Sequence, residues 1–119
     1  MKIIIAEDDV MSARILEIFF VKQGIKVSIT TNGEDALALL KTQHFDVLLT
    51  DWMMPKMDGI ELIRQVKASI CPLPIIIMFT AVSSQNAKKI LFNLGINDYI
   101  VKPYKPIDVL ECIKKFFPN

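Results

Sequence analysis

Glu7, Asp8 and Asp9 follow one apolar run of this chain, Asp51 follows a second, Thr80 a third, and Lys102 with Pro103 a fourth. Carboxylates held close together repel one another, so either some take up a proton or a cation joins them. A hard, all-oxygen setting suits Mg²⁺ (or Mn²⁺), which keeps several of its waters. Next to such a cation a carboxylate becomes a candidate nucleophile toward phosphorus, giving an acyl phosphate. Phosphoryl transfer demands little of a protein beyond positioning and neutralising charge on the transferred oxygens. In that scheme Asp51 is the phosphoacceptor and the metal takes one oxygen. Lys102 takes a second, and the Thr80 hydroxyl with a backbone N–H takes the third.

For these residues to meet, the apolar runs before them must be neighbouring strands. The five runs are KIIIA (2–6), KVSIT (26–30), DVLLT (46–50), PIIIMF (74–79) and DYIVK (98–102), all rich in β-branched residues. The first, third and fourth are continuously apolar, as strands are when helices cover both faces of a parallel sheet. Helical periodicity fills the gaps. SARILEIFFVKQG offers an apolar stripe of Ile15, Leu16, Ile18, Phe19 and Phe20, with Gly24 as a left-handed stop. Thr31 or Asn32 caps the second helix, and Asp58 with Glu61 has capping-box spacing for the third. Pro106 and Asp108 suit the start of the last helix, and Lys114 and Lys115 its end. Strict β-α alternation gives an α/β open sheet with helices on both faces. Ligands of such sheets gather at the carboxyl ends of the strands, where the polar residues above are found.

Composition narrows the possible functions. The 119 residues are 52% hydrophobic, enough for one domain with its own core. A net charge of +1, from 14 Lys and Arg against 13 Asp and Glu, offers no basic stripe for nucleic acid. MKIIIAEDDV is too short an apolar run for a signal-peptide core, and IIIMF is too short to span a bilayer. A cytoplasmic protein without a membrane partner is therefore expected. Cys71 and Cys112 lack metal-ligand spacing and read as reduced thiols.

Taken together, IIIAEDD, LLTDWMMPKMDG, MFTA and DYIVKPY, in this order and spacing, resemble the receiver domain of two-component response regulators, over essentially the whole chain. The resemblance implies one receiver domain over 1–119, with a flavodoxin-like (βα)5 fold and parallel strand order 2-1-3-4-5. It implies phosphorylation of Asp51 by a phosphohistidine on a sensor histidine kinase or histidine phosphotransfer protein. Glu7 and Asp8 match the family's acidic pair, and the Met53 backbone carbonyl completes the protein's share of the metal coordination. Thr80 and Tyr99 match its switch pair, which would remodel the face made by the fourth helix, fifth strand and fifth helix for a downstream protein target. Lys102–Pro103 is expected to be cis. Asp58 and Gly59 are expected to be structural. Such a protein is a signalling switch, catalysing only its own phosphorylation and dephosphorylation, and is a monomer or a phosphorylation-dependent dimer.

The sequence departs from the family pattern where a polar residue often stands two places beyond the phosphoacceptor and two beyond the switch hydroxyl. Met53 and Val82 occupy these dephosphorylation-rate positions. Neither side chain can orient a water, so a long-lived phosphoryl group is expected. Trp52 is expected to cover the pocket and to serve as a fluorescence reporter. Asp9 reads better as a helix cap than as a metal ligand, and His44 as a solvated turn residue. Spacing does not distinguish a rotating Tyr99 from a fixed one. Phe19 and Phe20 cannot both face the core; partial burial of one is the plainer reading and a partner patch the other. A flavin protein of this fold would carry a hydroxyl- and glycine-rich loop where Glu-Asp-Asp stands. A haloacid dehalogenase-type hydrolase would carry DxD on the first strand and a cap domain. A receiver that signals without phosphorylation is a third reading, which the intact acids, Thr80 and Lys102 oppose.

Overall fold

The computed structural model describes residues 1–81 and 83–118. Five strands and five helices alternate: β1 (Lys2–Ala6), α1 (Val10–Lys22), β2 (Lys26–Thr30), α2 (Gly33–Thr42), β3 (Val47–Asp51), α3 (Gly59–Ser69), β4 (Ile75–Thr80), α4 (Gln85–Leu94), β5 (Asp98–Val101) and α5 (Pro106–Lys114). The strands are parallel in the order β2-β1-β3-β4-β5. The chain steps outward from β1 to β2 and then crosses back to β3, so strand order reverses between β1 and β3, where sheets of this kind open a crevice.

The central strands are apolar throughout because both faces are covered. Ile3, Ile5, Leu49 and Phe79 point into a core with α1 and α5, while Ile4, Leu48, Ile76 and Met78 point into another with α2, α3 and α4. β3 begins one residue later than the apolar run suggests and includes Asp51, and β4 likewise shifts by one to include Thr80. Both polar residues therefore end ladders, pairing with Phe79 and Val101.

Helix starts follow the capping chemistry. Asn32, rather than Thr31, caps α2 by accepting from Asp35 N at 2.8 Å, and Asp58 accepts from Glu61 N at 2.9 Å. Gly24 has φ 79, as expected past the end of α1. The expected stripe of α1 needs correction. The helix starts at Val10 and buries Ala13, Leu16 and Phe20, whose spacing of three and four defines one face. Ile15 and Ile18 lie off that face and are exposed. Phe19 packs at the core's edge, its ring 5.8 Å from that of Phe20, in line with partial burial.

Candidate functional site

Three residues immediately past strand ends are locked by backbone bonds to the neighbouring strand. Glu7 N donates to Thr30 O at 3.0 Å, Trp52 N to Phe79 O at 3.2 Å, and Lys102 N to Thr80 O at 2.8 Å. Each bond extends the sheet by one residue, so the side chains around Asp51 stand on rigid backbone rather than on free loop. Glu7 is 0% exposed, Asp51 7% and Thr80 2%.

Glu7, Asp8 and Asp51 each offer a carboxylate oxygen, and these atoms lie within 4.8 Å of one another. Lys102 Nζ lies 2.8 Å from Asp51 Oδ1 and 3.4 Å from Glu7 Oε1. Burial, with the bond to Asp51 and its negative charge, pushes the Glu7 carboxyl up to about 7 against the opposing pull of Lys102. Burial alone would favour a neutral Lys102, yet the bond to Asp51 and the two nearby carboxylates raise it above its ordinary value, so it stays charged. The cluster thus gathers more negative charge than one ammonium compensates. An all-oxygen set of three carboxylates, one exposed toward solvent at Asp8, fits a hydrated divalent cation.

Asp51, Thr80 and Lys102 line a cleft of about 450 Å³ together with Trp52, Met53 and Ile90. Trp52 is half-buried there and Met53 is exposed. Tyr99 is not in this cleft. It lies half-buried on β5 and lines a separate groove with Lys88 and Phe92 of α4. Val82 lies outside the described residues. Lys102–Pro103 is cis, and so is Cys71–Pro72, which nothing in the sequence foretold. Asp9 caps α1, accepting from Met11 N at 3.2 Å and Ser12 Oγ at 2.7 Å, and the Ser12 bond chiefly holds its carboxyl below the ordinary value. His44 is exposed, 3.5 Å from Asp46 Oδ1, and both cysteines are free thiols.

Two contributors escaped the sequence reading. Tyr104 stacks on Phe79 with centroids 4.7 Å apart and backs the loop that carries Lys102; its place two residues beyond that lysine was the available signal. Ser84, which lines the cleft with Thr80, caps α4 by accepting from Ala87 N at 3.2 Å. No described helix is long and apolar enough to cross a membrane.

Comparison with known proteins adds a family to this geometry. The model of the response regulator receiver domain family matches residues 3–114. An uncharacterized transcriptional regulatory protein of Bacillus subtilis, YclJ, is 32% identical over 96% of this chain and 49% of its own length. The chain spans about half or less of the curated relatives it matches. A Francisella response regulator receiver domain superposes with a TM-score of 0.90 at 29% identity, covering 98% of this chain and 95% of that one. The receiver domain of a Pseudomonas aeruginosa sensor histidine kinase, solved with magnesium coordinated in its active-site cleft, gives a TM-score of 0.87 at 25% identity, covering 99% and 98%.

Proposed function

The chain belongs to the response regulator receiver domain family, a family of signalling switches in two-component systems, and from that premise we propose that residues 1–119 form one receiver domain whose phosphoacceptor is Asp51. The observation that carries this reading is the convergence of Glu7, Asp8 and Lys102 on a nearly buried Asp51. Glu7, Asp8, Asp51 and the Met53 carbonyl would hold Mg²⁺, which when bound would offset the carboxylate charge and that of one phosphoryl oxygen.

The chain's own residues account for the rest. An Asp51 oxygen attacks the phosphorus of a phosphohistidine; the P–N bond breaks, the imidazole leaves, and an acyl phosphate remains. Lys102, charged and in contact with Asp51, shifts to a phosphoryl oxygen as the carboxylate is consumed. The Thr80 hydroxyl, at the end of the adjacent strand, moves toward another oxygen. Tyr99, one strand further out, turns toward the space Thr80 leaves, shifting a pre-existing equilibrium of the α4–β5–α5 face. That face is where a downstream target would read the phosphorylation state, as a monomer or through a phosphorylation-dependent dimer. The donor is a sensor histidine kinase or histidine phosphotransfer protein in the cytoplasm. Exposed Met11, two residues beyond Asp9, and exposed Ile15, which lines a hollow with Lys102, suit its docking.

Intact-protein mass after incubation with a small phosphoryl donor and Mg²⁺ tests the reading. One phosphoryl adduct is expected, absent without metal and absent in Asp51→Asn. No adduct on folded wild type with Mg²⁺ present would overturn self-catalysed phosphorylation. Met53 contributes no group to orient a hydrolytic water, so Met53→Asn with Val82→Glu is expected to shorten the adduct's lifetime. An unchanged lifetime would remove these two positions as its cause.

A further inference from the structure

We propose that Gly33, the first residue of α2, is a positioning residue for the metal site, acting through Met57 on the loop that follows Asp51. Residues 52–58 connect β3 to α3 and carry the Met53 carbonyl. The loop is closed at its base, where Gly59 N donates to Trp52 O at 2.7 Å. It turns through Lys56, which has φ 67, and Met57 N donates to Pro55 O at 2.7 Å. Among the described residues, the one backbone bond joining 53–58 to an element other than β3 and α3 is Gly33 N to Met57 O, 3.1 Å long.

Glycine is required there by space and not by backbone angle. A Cβ on Gly33 would lie 2.3 Å from Met57 O and 2.8 Å from Met57 Cβ, contacts that force something to move. The helix side of the contact is fixed: Gly33 is buried, and Asn32 before it is a buried cap whose side chain holds the first turn of α2. The loop is the side free to yield. Its base does not yield with it, since a Cβ on Gly59 would collide with the carbonyl oxygen of Asp51 itself. Any added volume at Gly33 therefore pushes on Met57, two residues before Gly59, and the push passes across the bond from Gly59 N to Trp52 O to the segment that carries Met53. Mutating groups that support metal ligands typically costs about 10- to 100-fold in affinity.

This inference rests on the reading in which the Met53 carbonyl and the three carboxylates hold Mg²⁺. The test is Mg²⁺ titration of Trp52 fluorescence, Trp52 being the single tryptophan, alongside amide exchange of the metal-free protein. Gly33→Ala is expected to bind Mg²⁺ about 10- to 100-fold more weakly, with faster exchange confined to residues 52–58. Glu34→Ala, at an exposed position in the same helical turn, is expected to bind as wild type does. Met57→Gly, which removes the loop's side chain from the contact and leaves α2 intact, serves if Gly33→Ala does not fold, and is expected to weaken binding too. Wild-type affinity in the folded Gly33→Ala or Met57→Gly protein would overturn the positioning role alone. A wild type indifferent to Mg²⁺ would overturn the metal reading and the positioning role with it.

Discussion

The helices α4 and α5 flank the same strand, β5, yet they are attached very differently. α5 buries Val109, Leu110, Cys112 and Ile113, whereas α4 buries only Ala87 and Leu91. A large apolar side chain contributes about 1.5–3 kcal/mol on burial, so α4 is held by several kcal/mol less than its neighbour. Polar bonds at its ends compensate in part. Ser84 caps its start, and at its far end Lys67 Nζ of α3 donates to Leu94 O at 3.1 Å and Gly95 O at 3.0 Å. A helix held by its ends and thinly packed along its length shifts at little cost, and α4 is the one whose first turn borders the cleft of Thr80. The difference shows where a fold of high overall order keeps a movable part.

Core truncation gives the strongest test of this contrast. Ile113→Ala in α5 is expected to cost about 2–5 kcal/mol in urea unfolding, whereas Leu91→Ala in α4 should cost less because α4 can yield locally. Equal losses would mean that α4 is as firmly seated as α5. A smaller effect is expected at the α3–α4 contact. Lys67→Met removes a cation from the carboxyl end of a helix, worth about 0.3–1 kcal/mol, and should speed amide exchange in the last turn of α4 with no change in α5. Uniform exchange across both helices would refute the local anchoring.

The smallest effect belongs to the anchoring of α5 on β5. Asp98 accepts from Lys115 Nζ at 2.7 Å, Cys112 Sγ at 3.2 Å and Tyr99 N at 2.8 Å. Burial alone would raise its carboxyl, but these bonds outweigh it and hold the group below its ordinary value. A lowered folded pKa contributes stability that is present above the usual carboxylate range and lost as pH falls through the folded value. Stability should therefore decline gently on acidification below about pH 4, and less so in Asp98→Asn. The same bond, with burial, pushes the Cys112 thiol up to about 12. A thiol reagent on native protein should accordingly modify exposed Cys71 and spare Cys112; labelling of both at similar rates would argue that α5 opens as readily as α4.

The sequence disclosed the strands to within one residue because β-branched apolar runs have few other uses in an alternating chain. It disclosed the site's acids, hydroxyl and lysine for the same reason, since they stand where those runs stop. The buried face of α1 was legible only in part: Leu16 and Phe20 stood in the expected stripe, but VMSARILEIFFVK is apolar at so many positions that periodicity does not favour Ala13 over Ile15 or Ile18. Nor was the contact between Gly33 and Met57, which depends on how α2 lies against the loop after β3 and leaves no trace in local spacing. Tyr99 falls between these cases. Its strand was evident, but that it faces the α4 groove while Thr80 faces the cleft is a property of the packed sheet.

Finally, β5 closes one edge of the sheet, and it spans only four residues, with cis Pro103 following shortly after. Edges recruit other chains in proportion to the length of unpaired backbone they present, and proline supplies no N–H for such pairing. A strand this brief is a poor template for a growing fibre. The border that carries Tyr99 can thus stay uncovered without inviting copies of itself to polymerise along it.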